Sequence, residues 1–219
     1  MRFGPDISNY QSWLDSEDAR KLVEYQVSFV AIGRQITNKW ATKQYEMFIE
    51  AGIKPSMIFE YLISLGGAWP ALFPSTRFVA IDVEPGSEFD TEADIDAGLA
   101  FVQQQGRKPI IYSSAWAWEA LGLQGLTKYG EQGIPLWNAR YDGKTDGLVL
   151  PTPFGGWTRC AVDQYTDKWN DGGFLEQPID MNDCEDFLDE AAPAPAIDPR
   201  VQQAHDLLGE YITEKQQEG

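Results

Sequence analysis

Residues 78–85 read Phe78-Val79-Ala80-Ile81-Asp82-Val83-Glu84-Pro85, an apolar run that ends in two carboxylates separated by one residue. Its β-branched and aromatic character is that of a buried strand. Behind it, Thr91–Gln105 has helical periodicity, opened by Thr91 with Asp94 three residues on and closed by Gly106. Lys108–Ser113 then repeats the strand signal. Strand, helix and strand at this spacing predict a right-handed crossover between parallel neighbours.

The alternation extends outward from this unit. Upstream, Phe3–Ser8 is a short extended run, Asp15–Tyr25 a helix that Ser16 can cap and that buries Leu22, Val23 and Tyr25, and Ser28–Arg34 a strand. Ala41–Ala51 is a helix stopped by Gly52, and Lys54–Tyr61 a further strand. Beyond Tyr112 the helical segments shorten and Gly, Pro and Trp accumulate, while strand-like runs persist at Ile134–Ala139, Arg159–Tyr165 and Pro178–Met181. About eight strands is the number at which a parallel sheet closes on itself. The expected fold is a single α/β barrel with about eight strands and fewer than eight helices. After Phe187 the composition changes: Ala191-Ala192-Pro193-Ala194-Pro195-Ala196 is an extended spacer. Asp198-Pro199 then opens a short helix with Val201, Ala204, Leu208 and Tyr211 on one face. Residues 1–190 are therefore expected to form the domain and 191–219 a spacer and C-terminal helix. That tail can dock on its own barrel, pair with another subunit or lead to a further module.

Composition excludes several function classes. With 219 residues, 43% of them hydrophobic and 13% aromatic, the chain can build one substantial core. Its 34 acidic residues against 17 basic give a formal net charge of -17, which repels phosphate backbones and anionic lipid and argues against nucleic acid as a partner. No apolar run approaches the roughly 20 residues that span a bilayer. The start, Met1-Arg2-Phe3-Gly4-Pro5-Asp6, lacks the apolar stretch of a signal peptide. Cys160 and Cys184 have no CxxC spacing, so a zinc ribbon is excluded, while one disulfide or two buried thiols both stay open. The single histidine, His205, lies in the polar tail, which leaves no imidazole for a triad, a Cys-His dyad or a histidine metal site. Gly66-Gly67 and Gly155-Gly156 are expected turns, and no GxGxxG or Walker-type loop follows the first strand, so no cofactor and no metal are expected. Any enzyme built here must work with carboxylates.

Asp82 and Glu84 answer to that description. Residues i and i+2 of a strand point to one side, roughly 6.5 to 7 Å apart, and at the C-terminal end of a barrel strand they face the mouth. Two such acids repel as anions, so one keeps its proton near neutral pH, and glycosidic bond cleavage needs a donor and a stabiliser of this kind. A D-x-E by itself can merely end a strand. Its company is what counts: Asp6 ends the first strand and Asp180 the last, and closure makes those strands neighbours. Tyr61, Tyr112, Trp137, Tyr141 and Tyr165 fall at or just beyond strand ends, where a ring stacks on a sugar or packs in the core. Trp116, Trp118 and Trp157 are assigned to packing first. Arg34 can pair with one of the mouth acids or form an ordinary surface ion pair.

Six short segments resemble, in order, glycoside hydrolase family 25, the muramidases often called Chalaropsis-type lysozymes. They are Gly4-Pro5-Asp6-Ile7-Ser8-Asn9-Tyr10-Gln11, Ile81-Asp82-Val83-Glu84, Pro109-Ile110-Ile111-Tyr112-Ser113, Pro135-Leu136-Trp137-Asn138-Ala139-Arg140-Tyr141, Gln164-Tyr165-Thr166 and Ile179-Asp180-Met181-Asn182. Phe154-Gly155-Gly156-Trp157 is similar to relatives encoded by phages or their bacterial hosts, an endolysin-like feature. The resemblance implies a flattened, irregular (β/α) barrel that cuts between N-acetylmuramic acid and N-acetylglucosamine. It implies Glu84 as general acid, with Asp82, Asp6 and Asp180 around the scissile sugar. Either a carboxylate attacks the sugar, or the substrate's 2-acetamido group assists while Asp82 or Asp180 orients it; assistance is favoured. Tyr61, Tyr112, Trp137, Tyr141, Gln164, Tyr165 and Arg34 are the implied substrate-binding residues. Bacterial cell-wall glycan is the implied partner, without membrane insertion. The implied location is synthesis in the cytoplasm of a bacterial host or phage-infected cell, followed by action at the wall.

Two departures stand out. Glu60-Tyr61 occupies a position where many relatives carry a small residue, Tyr and His, and Glu60 can point away from the mouth. Val162-Asp163 precede Gln164 where relatives usually have Trp, which is expected to remove an aromatic wall and rearrange a sugar subsite. The charge of -17 also opposes binding to polyanionic walls. Alternatives are therefore a weak or inactive wall-binding or phage structural barrel, and a glycosidase for another amino-sugar polymer such as chitin.

Overall fold

Alternation along each strand decides which side chains fill the barrel and which meet the helices. The structure, a computed structural model, describes residues 2–34, 38–64, 72–145, 148–170, 173 and 175–184. The chain runs through β1 (Arg2–Ile7), α1 (Ser16–Glu24), β2 (Val30–Gly33), α2 (Ala41–Glu50), β3 (Ile58–Leu62), β4 (Phe78–Asp82), α3 (Glu92–Gln104) and β5 (Lys108–Ser113). It continues through α4 (Ala115–Ala120), α5 (Lys128–Glu131), β6 (Leu136–Ala139), β7 (Val149–Phe154), β8 (Trp157–Arg159), β9 (Val162–Trp169) and β10 (Ile179–Cys184). Eight of these strands close in the order β1-β10-β9-β6-β5-β4-β3-β2. With five helices among the described residues, this is the expected α/β barrel. Gly66-Gly67, His205, the boundary at 190 and the tail at 191–219 lie outside the described residues.

The barrel is not uniformly parallel. β10 runs antiparallel to both β1 and β9, while the other barrel pairs are parallel. Only residues 170–178 separate β9 from β10, too few for the crossover of a dozen or so residues that a parallel pair needs. Asp180 is therefore near the start of the last strand, not at its end as the sequence suggested. Because that strand runs backwards, its start lies at the rim where the parallel strands finish, with Asp180 opposite Asp6.

Smaller differences have local causes. Asp15, not Ser16, caps α1, accepting from the amides of Glu17 at 2.7 Å and Asp18 at 3.0 Å. Ala19 and Leu22 form its buried face, while Tyr25 beyond its end is exposed. Pro55 opens a 3-10 turn, Pro55–Met57, so β3 begins later than its apolar run. Arg159–Tyr165 spans the end of β8 and the first half of β9, and the β7–β8 hairpin is an element that sequence patterning missed. Gly155-Gly156 is its turn, with φ of +58° and +83°, as a tight hairpin connection requires. Cys160 and Cys184 are two buried thiols.

Two layers of core result. Phe59, Ala80, Ile110, Tyr112, Trp137 and Val162 belong to the cluster that fills the barrel. The alternate residues Val79, Ile81, Ile111 and Leu136 pack outward with Ile95, Leu99 and Val102 of α3. Gly130 of α5 seats the hairpin: its amide donates to the Gly155 carbonyl at 3.1 Å. A Cβ there would lie 2.3 Å from the carbonyl carbon of Gly156. Gly130→Ala is expected to destabilise the fold by about 1–3 kcal/mol through this backbone clash, whereas Gly125→Ala, which meets nothing within 4 Å, leaves the urea midpoint nearly unchanged.

Candidate active site

The C-terminal ends of β1 and β4 and the start of β10 bring the acids to one rim. Asp6 and Asp180 share a side-chain hydrogen bond. Asp6 Oδ2 also accepts from Gln164 Nε2 at 2.8 Å and from Asn182 Nδ2 at 2.8 Å. Asp82 feels the charges of Glu84 and Asp6, and Glu84 that of Asp6. Glu84 follows the end of β4 at a point fixed by two bonds to Val83, whose amide donates to the Tyr112 carbonyl at 2.8 Å and whose carbonyl accepts from Ser113 Oγ at 2.8 Å. Thus all four acids predicted from sequence meet in one cluster.

Burial dominates their protonation. Withdrawal from water pushes Asp6 up to about 6, moderated by the Asn182 and Gln164 amides, and pushes Asp180 up to about 8, reinforced by the charge of Asp6. The donors on Asp6 favour its anion, so in this pair Asp180 keeps the proton and donates the hydrogen bond to Asp6. Burial first, then Glu84 and Asp6, raises Asp82 well above the ordinary carboxylate range, and Glu84 is raised by burial and then by Asp6. Asp82 is 8% exposed, and its Oδ1 has no hydrogen-bond partner among the described residues. The rim therefore stores protons and keeps one carboxylate oxygen uncommitted.

The remaining predicted residues divide by the direction in which they face. Tyr112 Oη donates to Gln164 Oε1 at 2.7 Å, and its oxygen lies 3.4 Å from that of Tyr141. Tyr61 stands beside Asp6, Asp82 and Asp180 and donates to the Ile7 carbonyl at 3.3 Å. Gln164 is buried with both ends of its amide used, so it is an internal link between Tyr112 and Asp6, not an open contact. Trp137 is 1% exposed and packs edge-on against Phe59, Tyr61 and Tyr112, with its Nε1 donating to Asn182 Oδ1 at 2.7 Å. It is the floor beneath the acids and not a sugar platform. Asn182, one alternation step from Asp180, links this floor to Asp6, a role that sequence reading did not assign.

Three expectations are corrected by strand alternation. Tyr165, next to inward-facing Gln164, faces outward and lines a cavity with Phe3, Tyr25 and Trp169. Arg34 pairs with buried Glu60 and not with one of the four rim acids that are described: its Nε lies 3.0 Å from Glu60 Oε1, on the outer side of β3, with its guanidinium over Phe73. Glu60 does point away from the mouth. Asp163 also faces outward, accepting from Asn138 Nδ2 at 2.7 Å and pairing with Arg140 Nη2 at 3.1 Å, so it does not stand in the aromatic wall over the acids.

That wall comes from elsewhere. Beside the quartet lies a cleft of about 430 Å³ lined by Glu84, Trp116, Tyr141, Thr152 and Phe154. Trp118 and Trp157 are buried as expected, but Trp116 is 69% exposed and Tyr141 51%. An indole left in water at a cleft edge has the geometry of a sugar-stacking surface. The two-residue spacing that exposes Trp116 and buries Trp118 is unreadable in a helix as short as α4.

The profile described as glycosyl hydrolases family 25 matches residues 5–174. A Dictyostelium discoideum protein, "Probable GH family 25 lysozyme 2", is 32% identical over 87 residues, 40% of this chain and 39% of that protein, so the match spans well under half of the relative's length. Among solved structures, a muramidase from Acremonium alcalophilum superposes with a TM-score of 0.62 at 19% identity, covering 84% of this chain and 94% of that one. The spore cortex lytic enzyme of Clostridium perfringens gives 0.62 at 18% identity, covering 88% of this chain and 69% of the other. A family 25 glycosyl hydrolase from Bacillus anthracis gives 0.58 at 16%, with 83% and 88% covered. At these identities the superpositions speak for the fold, while the profile spans the barrel from Pro5 to beyond β9: the chain belongs to glycosyl hydrolases family 25.

Proposed function

We propose that the chain hydrolyses the glycan strands of bacterial peptidoglycan between N-acetylmuramic acid and N-acetylglucosamine, with Glu84 as general acid. The observation that carries this reading is a carboxyl group held towards its protonated form at a cleft edge, beside three further acids. Glu84 gives its proton to the departing glycosidic oxygen as the bond to the anomeric carbon breaks. The positive charge that develops on the sugar is met by Asp82 and by the single negative charge of the hydrogen-bonded Asp6–Asp180 pair. The uncommitted Oδ1 of Asp82 is suited to accept the N–H of the 2-acetamido group while the acetamide oxygen closes on the anomeric carbon. Water then opens that ring, with Glu84 taking a proton back. Tyr112 and Gln164 hold Asp6, and Trp116 and Tyr141 supply the stacking walls.

Digestion of purified peptidoglycan, followed by mass spectrometry of the new reducing ends, is expected to give muramic-acid ends. Cleavage of chitin oligomers with no product from peptidoglycan would refute the assignment. Glu84→Gln should lower kcat by roughly 10²–10⁴ with an unchanged circular dichroism spectrum, and a rate equal to the parent's would remove Glu84 from its role. The rate should also fall on the alkaline side as Glu84 loses its proton.

Asp180 makes a separate expectation about stability. A carboxyl whose pKa is higher folded than unfolded binds protons better in the native state, so it favours folding at low pH and that benefit is lost as pH rises. For Asp180 the window runs from 3.8 to about 8. The Tm of Asp180→Asn relative to the parent should therefore climb between the two ends of this window, while its activity is lower throughout. Trp116→Ala should raise KM about fivefold with little change in kcat, measured on soluble glycan fragments, and Trp116→Phe should recover most of the loss.

A further inference from the structure

Tyr141, just beyond β6, has a backbone φ of +46°, in the left-handed region that a bulky side chain rarely occupies. The hydrogen bonds around it show how the chain gets there. The amides of Arg140 and Tyr141 both donate to one acceptor, the Gln164 carbonyl, at 3.0 and 3.3 Å. Two successive residues set against one is the pattern of a β-bulge, which re-aims a side chain where a ladder ends. Here the re-aimed ring lines the cleft that Glu84 also lines, and its phenol oxygen lies 3.4 Å from that of Tyr112. Burial, with the charges of Asp180, Asp6 and Glu84 behind it, pushes that phenol up to about 12, so the hydroxyl keeps its proton and remains a donor.

A backbone held at an unfavourable φ persists only where its surroundings fix it. Arg140 does so from both sides. Its Nη2 lies 3.1 Å from Oδ2 of Asp163, and its Nε lies 3.1 Å from Oδ2 of Asp142. Asp163, on β9, is buried and also accepts from Asn138 Nδ2 at 2.7 Å, which makes it a fixed anchor. Asp142 is exposed and follows Tyr141 directly. Its other oxygen accepts from the Lys144 amide at 3.0 Å, while the Gly143 amide donates to the Tyr165 carbonyl at 2.8 Å. The guanidinium thus ties the residue after Tyr141 to the neighbouring strand and closes the backbone around the tyrosine. A planar fork can serve two carboxylates at once, whereas an ammonium acts as a single point charge.

We propose that Arg140 is a positioning residue: by bridging Asp163 and Asp142 it holds Tyr141 in its left-handed conformation, with the ring presented to the sugar that binds beside Glu84. The use of the ring rests on the hydrolase reading, while the clamp itself does not. Tyr141 then contributes at two points. Its ring shares the cleft with Trp116. Because Tyr112 gives its own proton to Gln164, the Tyr141 hydroxyl is the donor towards Tyr112, which extends the chain through Gln164 to Asp6. Arg140 acts on substrate only through this tyrosine.

Two readouts on the full chain test this. In protein carrying carbon-13-labelled tyrosine, NMR cross-relaxation between the Tyr141 and Tyr112 rings reports the clamp without turnover, and KM on soluble glycan fragments reports its use. Arg140→Lys keeps a cation beside buried Asp163, and Asp142→Asn alters an exposed residue, so neither strips a buried charge of its partner. Each should lose most of the ring cross-peak and raise KM about fivefold, with kcat within about twofold of the parent. In a Tyr141→Ala background the same substitutions should change KM by less than about twofold, since the residue they act through is gone. Cross-peaks of parental intensity in both variants, a parental KM, or a KM rise that persists undiminished in Tyr141→Ala would overturn the proposal. A parent that turns over no glycan overturns the hydrolase reading instead, and the cross-peak still decides the clamp.

Discussion

The antiparallel pairing of β1 with β10 is the constraint on which the site depends. A parallel last strand would carry Asp180 to the opposite rim; the reversed strand puts it across from Asp6. The same ladder places Asn182 opposite Gly4, with Asn182 Nδ2 3.1 Å from the Gly4 carbonyl and 2.8 Å from Asp6. Closure of the sheet and assembly of the acids are thus one event. The short connection after β9 that prevents a crossover also decides which carboxyl groups can meet.

The consequence of that assembly is electrostatic. Four carboxyl groups at one rim, two of them buried and two half-buried, cannot all be anions in so small a volume. The structure resolves this by giving one member its donors. Asp6 receives the Gln164 and Asn182 amides and Asp180's hydrogen bond, and its neighbours are displaced towards their neutral forms. Tyr112 and Trp137 donate to the side-chain amides of Gln164 and Asn182, orienting both towards Asp6 and so favouring the charge there. This concentration of destabilised charge is a cost in folding free energy that sites of acid–base chemistry commonly carry.

Acids gather at the rim where β1 and β4 end, above an aromatic plug made by Phe29, Phe59 and Trp137. An outer wall of buried pairs, Arg34 with Glu60 and Arg140 with Asp163, takes charged residues that alternation turns away from the mouth.

Much of this was legible in the chain. Alternating apolar runs and helical segments specified a barrel of eight strands, since periodicity is a local property that burial on one or both faces imposes directly. The lack of histidine in the domain restricted chemistry to carboxylates, and Asp6, Asp82, Glu84 and Asp180 were marked by their place near strand ends. Other features had no local signature. The direction of β10, the inward turn of Gln164 against the outward turn of Tyr165, the burial of Trp137 and the exposure of Trp116 depend on which distant strand or hairpin supplies the other half of each environment. Local patterning thus specified the architecture and singled out the four carboxyl groups. Which side chains face one another was settled in the folded chain, because facing is set by strand register and closure between residues far apart in sequence, and the protonation of each acid depends on that.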